Sequence, residues 1–199
     1  MSVLSHGLAV VFFIQTWGLG YWMIDGEFDR FLLRPMGLIF QFLFDDFNLI
    51  GFTDIIPGLM VFIYGCVKAG LPLTLTNILL ILCTLAGGTL IRGAVWMFCG
   101  SMSFWTKSPA DFTDMVGELF ERVSMYPLTI YPEWAQALFT FLLPLAWITF
   151  WPVKDLLGMG AAAVPVPLAV ITLAVGLLLF AGSCAVFRAG MGKYESAGS

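Results

Sequence analysis

Long apolar stretches alternate with shorter polar connections along this chain. A membrane-spanning helix needs about 20 predominantly apolar residues, and several stretches come close to or exceed that length. We therefore predict transmembrane helices over residues 7–23, 55–69, 77–102, 135–150 and 164–187. The third stretch contains Arg92 in its second half. The fourth contains Pro144, which should bend the helix because proline lacks an amide donor and its ring crowds the preceding turn.

Basic residues beside these spans are distributed unequally between the two sides of the membrane. One set of connections, together with the C-terminus, carries Arg30, Arg34, Lys107, Arg122, Arg188 and Lys193. The opposite set carries only Lys68 and Lys154. Because cytoplasmic loops are enriched in lysine and arginine, the two long connections, residues 24–54 and 103–134, and the C-terminus are predicted to be cytoplasmic. The N-terminus would then lie outside, and since the first span lacks the features of a cleaved signal, one further upstream span is expected.

The second long connection contains an amphipathic helix. Ser108 and Asp111 form a capping-box-like start around Pro109, which suits a first helical position. Apolar residues then recur at helical spacing: Phe112, Met115, Val116, Leu119, Phe120 and Val123. The other face is acidic, which disfavours anionic lipid and favours a protein partner with a basic groove. The alternative is a helix that lies on the membrane or packs under the bundle.

The first long connection predicts a short, capped helix at the membrane face. Phe28, Phe31 and Leu32 recur at helical spacing, and the Arg34–Pro35 pair ends the turn. Residues 36–44 are apolar but too few to span the bilayer, so we place them in the interface.

Composition supports a membrane protein and excludes several other classes. Hydrophobic residues make up 60% of the 199 residues and charged residues 11%, whereas a soluble domain has roughly 45–50% and roughly 25%. The net charge of −4 argues against a nucleic-acid partner, which requires clustered basic residues. The four cysteines show neither metal-site nor disulfide spacing and are interpreted as small buried hydrophobes. His6, the only histidine, is interpreted as a solvated or interfacial terminal residue.

The sequence contains none of the common catalytic motifs. We find no GxxxxGK[ST] phosphate loop, no HExxH metal pair and no nucleophile elbow. We therefore expect no catalytic residues, no metal site and no cofactor. ATP hydrolysis, if it drives this protein, must come from a separate chain.

Three separated motifs resemble a known family. The run Gly26-Glu27-Phe28-Asp29-Arg30-Phe31-Leu32-Leu33-Arg34-Pro35 is similar to the "GE(F/L)D-x-(F/Y)-LLRP" signature of type-2 ABC transporter permeases. The run Ser103-Phe104-Trp105-Thr106, with Tyr126-Pro127-Leu128-Thr129-Ile130-Tyr131-Pro132, resembles that family's "SFWT" and "YPL-x-I(F/Y)P" pattern. The ending Lys193-Tyr194-Glu195-Ser196-Ala197-Gly198-Ser199 resembles "(R/K)YESAGS". The chain departs from the family by beginning at what would be the second of six spans.

The resemblance implies an all-α integral membrane protein: a single permease domain over residues 1–199, with about five spans here and short amphipathic coupling helices in the cytoplasm. It implies a separate cytoplasmic ABC ATPase, a second permease subunit forming a homo- or heterodimer, and a multi-pass location in the inner (plasma) membrane. Contacts with the ATPase are expected at Glu27, Phe28, Asp29, Arg30, Arg34, Asp114, Glu118 and Arg122. A purely topological role for the first connection stays open.

Arg92 is the one charge deep within a predicted span. Exposing it to lipid would cost about 2.5–3.5 kcal/mol on insertion scales, so it must face protein, water or an interface. It either lines a substrate path, or it snorkels or pairs with a neighbour such as Asp54. The function expected for the whole chain is an exporter permease working by alternating access, and the alternative is a membrane scaffold that recruits a cytoplasmic partner without transport.

Overall fold

The protein is an all-helical membrane protein. A computed structural model describes residues 1–44, 48–106, 111–124, 126, 128–159 and 166–194, and every regular element in these ranges is a helix. The α-helices are α1 (Ser2–Trp17), α2 (Leu19–Ile24), α3 (Asp29–Leu32), α4 (Leu38–Phe44), α5 (Phe52–Lys68), α6 (Leu75–Ser101), α7 (Ser103–Thr106), α8 (Asp111–Ser124), α9 (Glu133–Ala137), α10 (Leu145–Ile148), α11 (Phe150–Leu156) and α12 (Leu168–Met191). Short 3₁₀ turns cover Leu49–Gly51 and Leu128–Ile130, and a π-helical turn covers Leu138–Leu142.

Four helical segments in the described part of the chain are long and apolar enough to cross a membrane. They are Ser2–Met23, Leu49–Lys68, Leu75–Thr106 and Leu168–Met191. The bent pair Glu133–Leu142 and Leu145–Leu156 brings the total to five if it is one span. The predicted all-α membrane architecture is thereby confirmed.

Helices α1, α6 and α12 pack side by side and run in the same direction. Along α6, Gly88 meets Ser5 of α1, and Gly100, further on, meets Thr16. On its other side Gly87 lies against the backbone of Thr172 in α12, where an added Cβ would come within 2.8 Å. Because the glycines lack side chains, the α6 backbone approaches those of α1 and α12 closely at these positions.

Helix α5 runs antiparallel to α1 and lies at the edge of the bundle. Gly51 packs against Val11, whereas Gly58, further along the chain, packs against Leu4. Only 11% of the most apolar window of Leu49–Lys68 is buried, compared with 50% for Ser2–Met23. Its remaining surface is apolar and exposed, which suits a helix in contact with lipid or with another membrane protein.

Three helices end at the same end of the bundle, which we call the motif end. The C-terminal ends of α2, α7 and α12 all lie there, so the connections that follow α2 and α7 begin there. This grouping matches the one made from charge, and the cytoplasmic orientation of the motif end stays a prediction.

The fourth predicted span is broken at Pro144. Helical structure stops after Leu142 and resumes at Leu145, with 72° between the two halves. The missing proline amide and the clash of its ring with the preceding turn account for the break, so the predicted bend is confirmed. The helical chain also continues to Leu156, beyond the predicted end.

The first helix differs from expectation at its start. Because α1 is helical from Ser2, His6 lies inside the helix and not at a solvated terminus. Its ring packs edge-on against Trp96 with 5.8 Å between centroids. The interpretation of His6 as a solvated end residue is therefore wrong, and its interfacial alternative stays a prediction.

Candidate functional site

Residues from all three separated motifs meet at the motif end. The Phe28 ring lies 5.8 Å from that of Phe104 and 5.0 Å from that of Tyr194. Phe187, near the end of α12, completes the packing at 6.3 Å from Phe28. We call Phe28, Phe31, Phe104, Phe187 and Tyr194 the aromatic cluster. It joins the ends of the first, third and last spans through the first connection.

The first connection is folded tightly onto this cluster. Gly26 adopts a positive φ of 73° and turns the chain out of α2, a conformation that glycine allows without a Cβ clash. The Phe28 amide then donates to the Trp22 carbonyl at 3.0 Å. Phe31, within the single turn of α3, stacks on Trp22 with 5.6 Å between the ring centroids and 6° between the ring planes.

A hydrogen bond ties the first motif to the last. The Tyr194 hydroxyl donates to the Asp29 carboxylate at 2.9 Å. Phe28 is 1% exposed, so its side chain packs within the chain. Phe28 and Asp29 were predicted as partner contacts. In the structure Phe28 packs in the aromatic cluster and Asp29 accepts the hydrogen bond from Tyr194. Residues 195–199 of the last motif lie outside the described residues.

Three charged residues of the first connection lie at its surface. Glu27, Arg30 and Arg34 are exposed, and Leu33 between them is 86% exposed. The Arg30 guanidinium stands over the stacked pair, 4.9 Å from the Phe31 ring centroid, where cation–π attraction restricts its motion. The result is a firm, charged surface with one prominent apolar side chain, which we call the outer face.

Helix α8 packs under the bundle through part of its apolar surface. Val116, Phe120 and Val123 are buried in a cluster that also holds residues of α6, α9 and α10. Met115 and Leu119 of the predicted apolar stripe are exposed. The Ser108 and Pro109 cap and the Asp111 and Phe112 side chains lie outside the described residues.

A tryptophan of α1 packs on the buried side of α8. The Trp17 ring lies directly over Gly117, where an added Cβ would overlap the ring. Its Nε1–H donates to the Asp114 carboxylate at 2.7 Å. Asp114, predicted as a partner contact, is thus already bonded to α1.

The other two charges predicted on α8 pair with each other. Arg122 Nε donates to Glu118 Oε1 at 3.2 Å, one helical turn apart. This hydrogen bond, with the carboxylate charge, raises the pKa of Arg122 above its usual range. Both side chains are exposed, so the pair remains accessible.

Arg92 faces the interior of the bundle near the middle of Leu75–Thr106. It is 3% exposed, and its Nη2 donates to the Ser2 hydroxyl of α1 at 2.9 Å. Asp54, the neighbour suggested from sequence, has its carboxylate 3.6 Å from His6 Nε2. Sequence reasoning missed this pair, although two ionisable residues beside neighbouring predicted spans were a signal for it. Across the described residues, no three His, Cys, Asp or Glu side chains converge as a metal site would require.

Comparison with known families decides the membership of the chain. A family model described as "ABC-2 family transporter protein" matches residues 1–198. The chain belongs to this ABC-2 family. It is therefore a multi-pass membrane permease subunit of an ABC transporter, and its family partner is an ABC ATPase. No curated protein and no solved structure matches this ABC-2 chain. The resemblance found from the three motifs is confirmed.

Proposed function

We propose that this ABC-2 chain is the membrane permease of an exporter driven by ATP hydrolysis on a separate cytoplasmic subunit. The observation that carries the proposal is the outer face, with exposed Glu27, Arg30 and Arg34 held on a buried aromatic cluster. The motif end faces the cytoplasm, in line with the excess of basic residues in its connections. The outer face is where the ATPase docks.

The anchoring of the outer face explains how motion of an ATPase reaches the membrane helices. Phe28 and Phe31 are 1% and 0% exposed, and closely packed interiors transmit strain. A displacement of Arg30 is therefore passed to Trp22 and Phe31 and from there to the ends of α6 and α12. Alternating access of a central pathway follows from such displacements when a second permease subunit completes it.

Helix α8 provides a second contact for the ATPase. Its exposed side carries Glu118, Arg122, Met115 and Leu119, a mixed charged and apolar surface. The buried side is fixed to α1 through Trp17 and Asp114. The two contacts are thus connected to the same span, α1 with its continuation α2, at its C-terminal end.

Charge reversal on the outer face tests the proposal. The double variant Arg30→Glu, Arg34→Glu removes two positive charges from the proposed contact and places two negative charges there. It should reduce co-purification of the ATPase about tenfold, which corresponds to about 1.4 kcal/mol of binding free energy. The matched control Lys68→Glu, Lys154→Glu reverses two charges at the opposite end of the bundle and should bind like the unaltered chain.

Two results would contradict the proposal in different ways. Equal ATPase binding by both double variants would remove the outer face as the docking site. Intact binding without ATP-dependent movement of any solute would favour the scaffold alternative.

A further inference from the structure

Three seams join the helices of the bundle. The α1–α6 seam holds glycine contacts from Gly88 against Ser5 to Gly100 against Thr16, and the α6–α12 seam continues from Gly87 against Thr172 to Gly190 against Phe104 of α7. The α1–α5 seam also holds closely packed glycines. Its close contacts lie between Gly51 beside Gly7 and Gly58 beside Leu4.

The α1–α5 seam contains an ionisable pair at membrane depth. His6 Nε2 lies 3.6 Å from Asp54 Oδ2, with side chains that are 23% and 40% exposed. The same part of α1 contacts Arg92, near the middle of the third span. Asp54 and His6 therefore lie well inside the apolar region.

Partial exposure of a carboxylate at this depth restricts what can lie in front of it. Charged groups inside a membrane face protein or a water-filled cavity. The opposite surface of α5, all of which lies within the described residues, is apolar and carries no ionisable group at this level. Ile56, two residues after Asp54 and about 200° around the helix, is 55% exposed and apolar, as a lipid-facing residue should be.

We infer that the α1–α5 seam is a wall of the translocation pathway, with Asp54 and His6 as the groups that meet water and the polar part of the transported molecule. This inference rests on the proposed function and adds to it the place of the pathway. Helix α5 moves against α1 during transport because its span is the least buried of the four long spans, while α1, α6 and α12 move as one body.

Thiol accessibility tests the inference. Cys66, Cys83, Cys99 and Cys184 are first replaced by serine or alanine. Asp54→Cys is then compared with Ile56→Cys, its matched control on the other face of α5. Both are measured in the membrane-embedded complex with the ATPase, with and without ATP. We expect a charged, membrane-impermeant thiol reagent to label Asp54→Cys at least about tenfold faster than Ile56→Cys, at a rate that changes with ATP.

The outcomes separate this inference from the proposed function. If the unaltered chain does not bind the ATPase, the proposed function itself is refuted. If the ATPase binds and Asp54→Cys stays as unreactive as Ile56→Cys with and without ATP, the α1–α5 seam is not a wall of the pathway. The proposed function is unaffected by that result. Disulfide formation between the Asp54→Cys residues of two copies, with no labelling, would show a subunit interface there and would also overturn it. His6→Cys serves as the second variant and should behave like Asp54→Cys.

Discussion

The motif end and the α1–α5 seam hold helices together in contrasting ways. At the motif end, rings from four different segments interlock, and Tyr194 bonds to Asp29 across most of the chain. At the seam, three closely packed glycines and one partly exposed His6–Asp54 pair join α1 to a helix that is largely exposed on its other sides. Under the proposed function the two junctions have different tasks. The motif end is the stiff region that takes up the movement of the ATPase, and the α1–α5 seam is the weaker one at which helices move apart.

The largest effect should follow removal of the central ring of the aromatic cluster. Phe28→Ala deletes a side chain that is 1% exposed and leaves a cavity, so it should destabilise the protein by about 3–5 kcal/mol. Leu33→Ala, five residues on and 86% exposed, should change stability by less than about 0.5 kcal/mol. Thermal unfolding in detergent measures both. Equal effects of the two variants would show that the motif end is not the stiff region.

A smaller effect is expected from overpacking the same region. Gly190→Val places methyl groups against the Phe104 ring, whereas Gly182→Val, on the same helix, meets no atom within 4 Å. The first should lower stability by about 1–3 kcal/mol. The second should be neutral or slightly stabilising, since glycine is a poor helix former. Comparison of their unfolding midpoints is decisive, and a Gly182→Val variant that unfolds earlier would contradict the packing described.

The smallest effects come from single polar contacts, and they compare the two regions directly. Tyr194→Phe removes one hydroxyl from Asp29 and should cost about 1 kcal/mol. Asp54→Asn weakens a partly exposed pair and should cost less than that, because such pairs contribute about 0–1 kcal/mol. Denaturant titrations of both variants measure the difference. If Asp54→Asn were the more destabilising of the two, the seam would be a structural joint and not a place of movement.

Sequence alone predicted the spanning helices, the break at Pro144 and the amphipathic character of α8, because these depend on local composition and periodicity. It did not predict which side of α8 is buried. Periodicity groups Met115 and Leu119 with Val116, but α8 packs with Gly117 under the Trp17 ring, and Met115 and Leu119 stay exposed. That contact joins residues far apart in the chain, and no local pattern reports it.

The candidate site shows the same division. The charged run of the first connection was identifiable from sequence, and the structure places Glu27, Arg30 and Arg34 at the surface. The inward roles of Phe28 and Asp29 depend on Phe104 and Tyr194, which only the folded bundle brings near. Family membership rests on the match over residues 1–198, and four residues of the aromatic cluster, Phe28, Phe31, Phe104 and Tyr194, lie in the motifs that carry the resemblance.

The shared direction of α1, α6 and α12 has an electrostatic consequence. Each helix carries a dipole equivalent to about half a negative charge at its C-terminal end, and the chain direction brings these ends to one side of the bundle. Cations are favoured there and anions are not. Arg188, in the last turn of α12, therefore carries its positive charge at the negative end of a helix dipole, a favourable arrangement that exists before any partner binds.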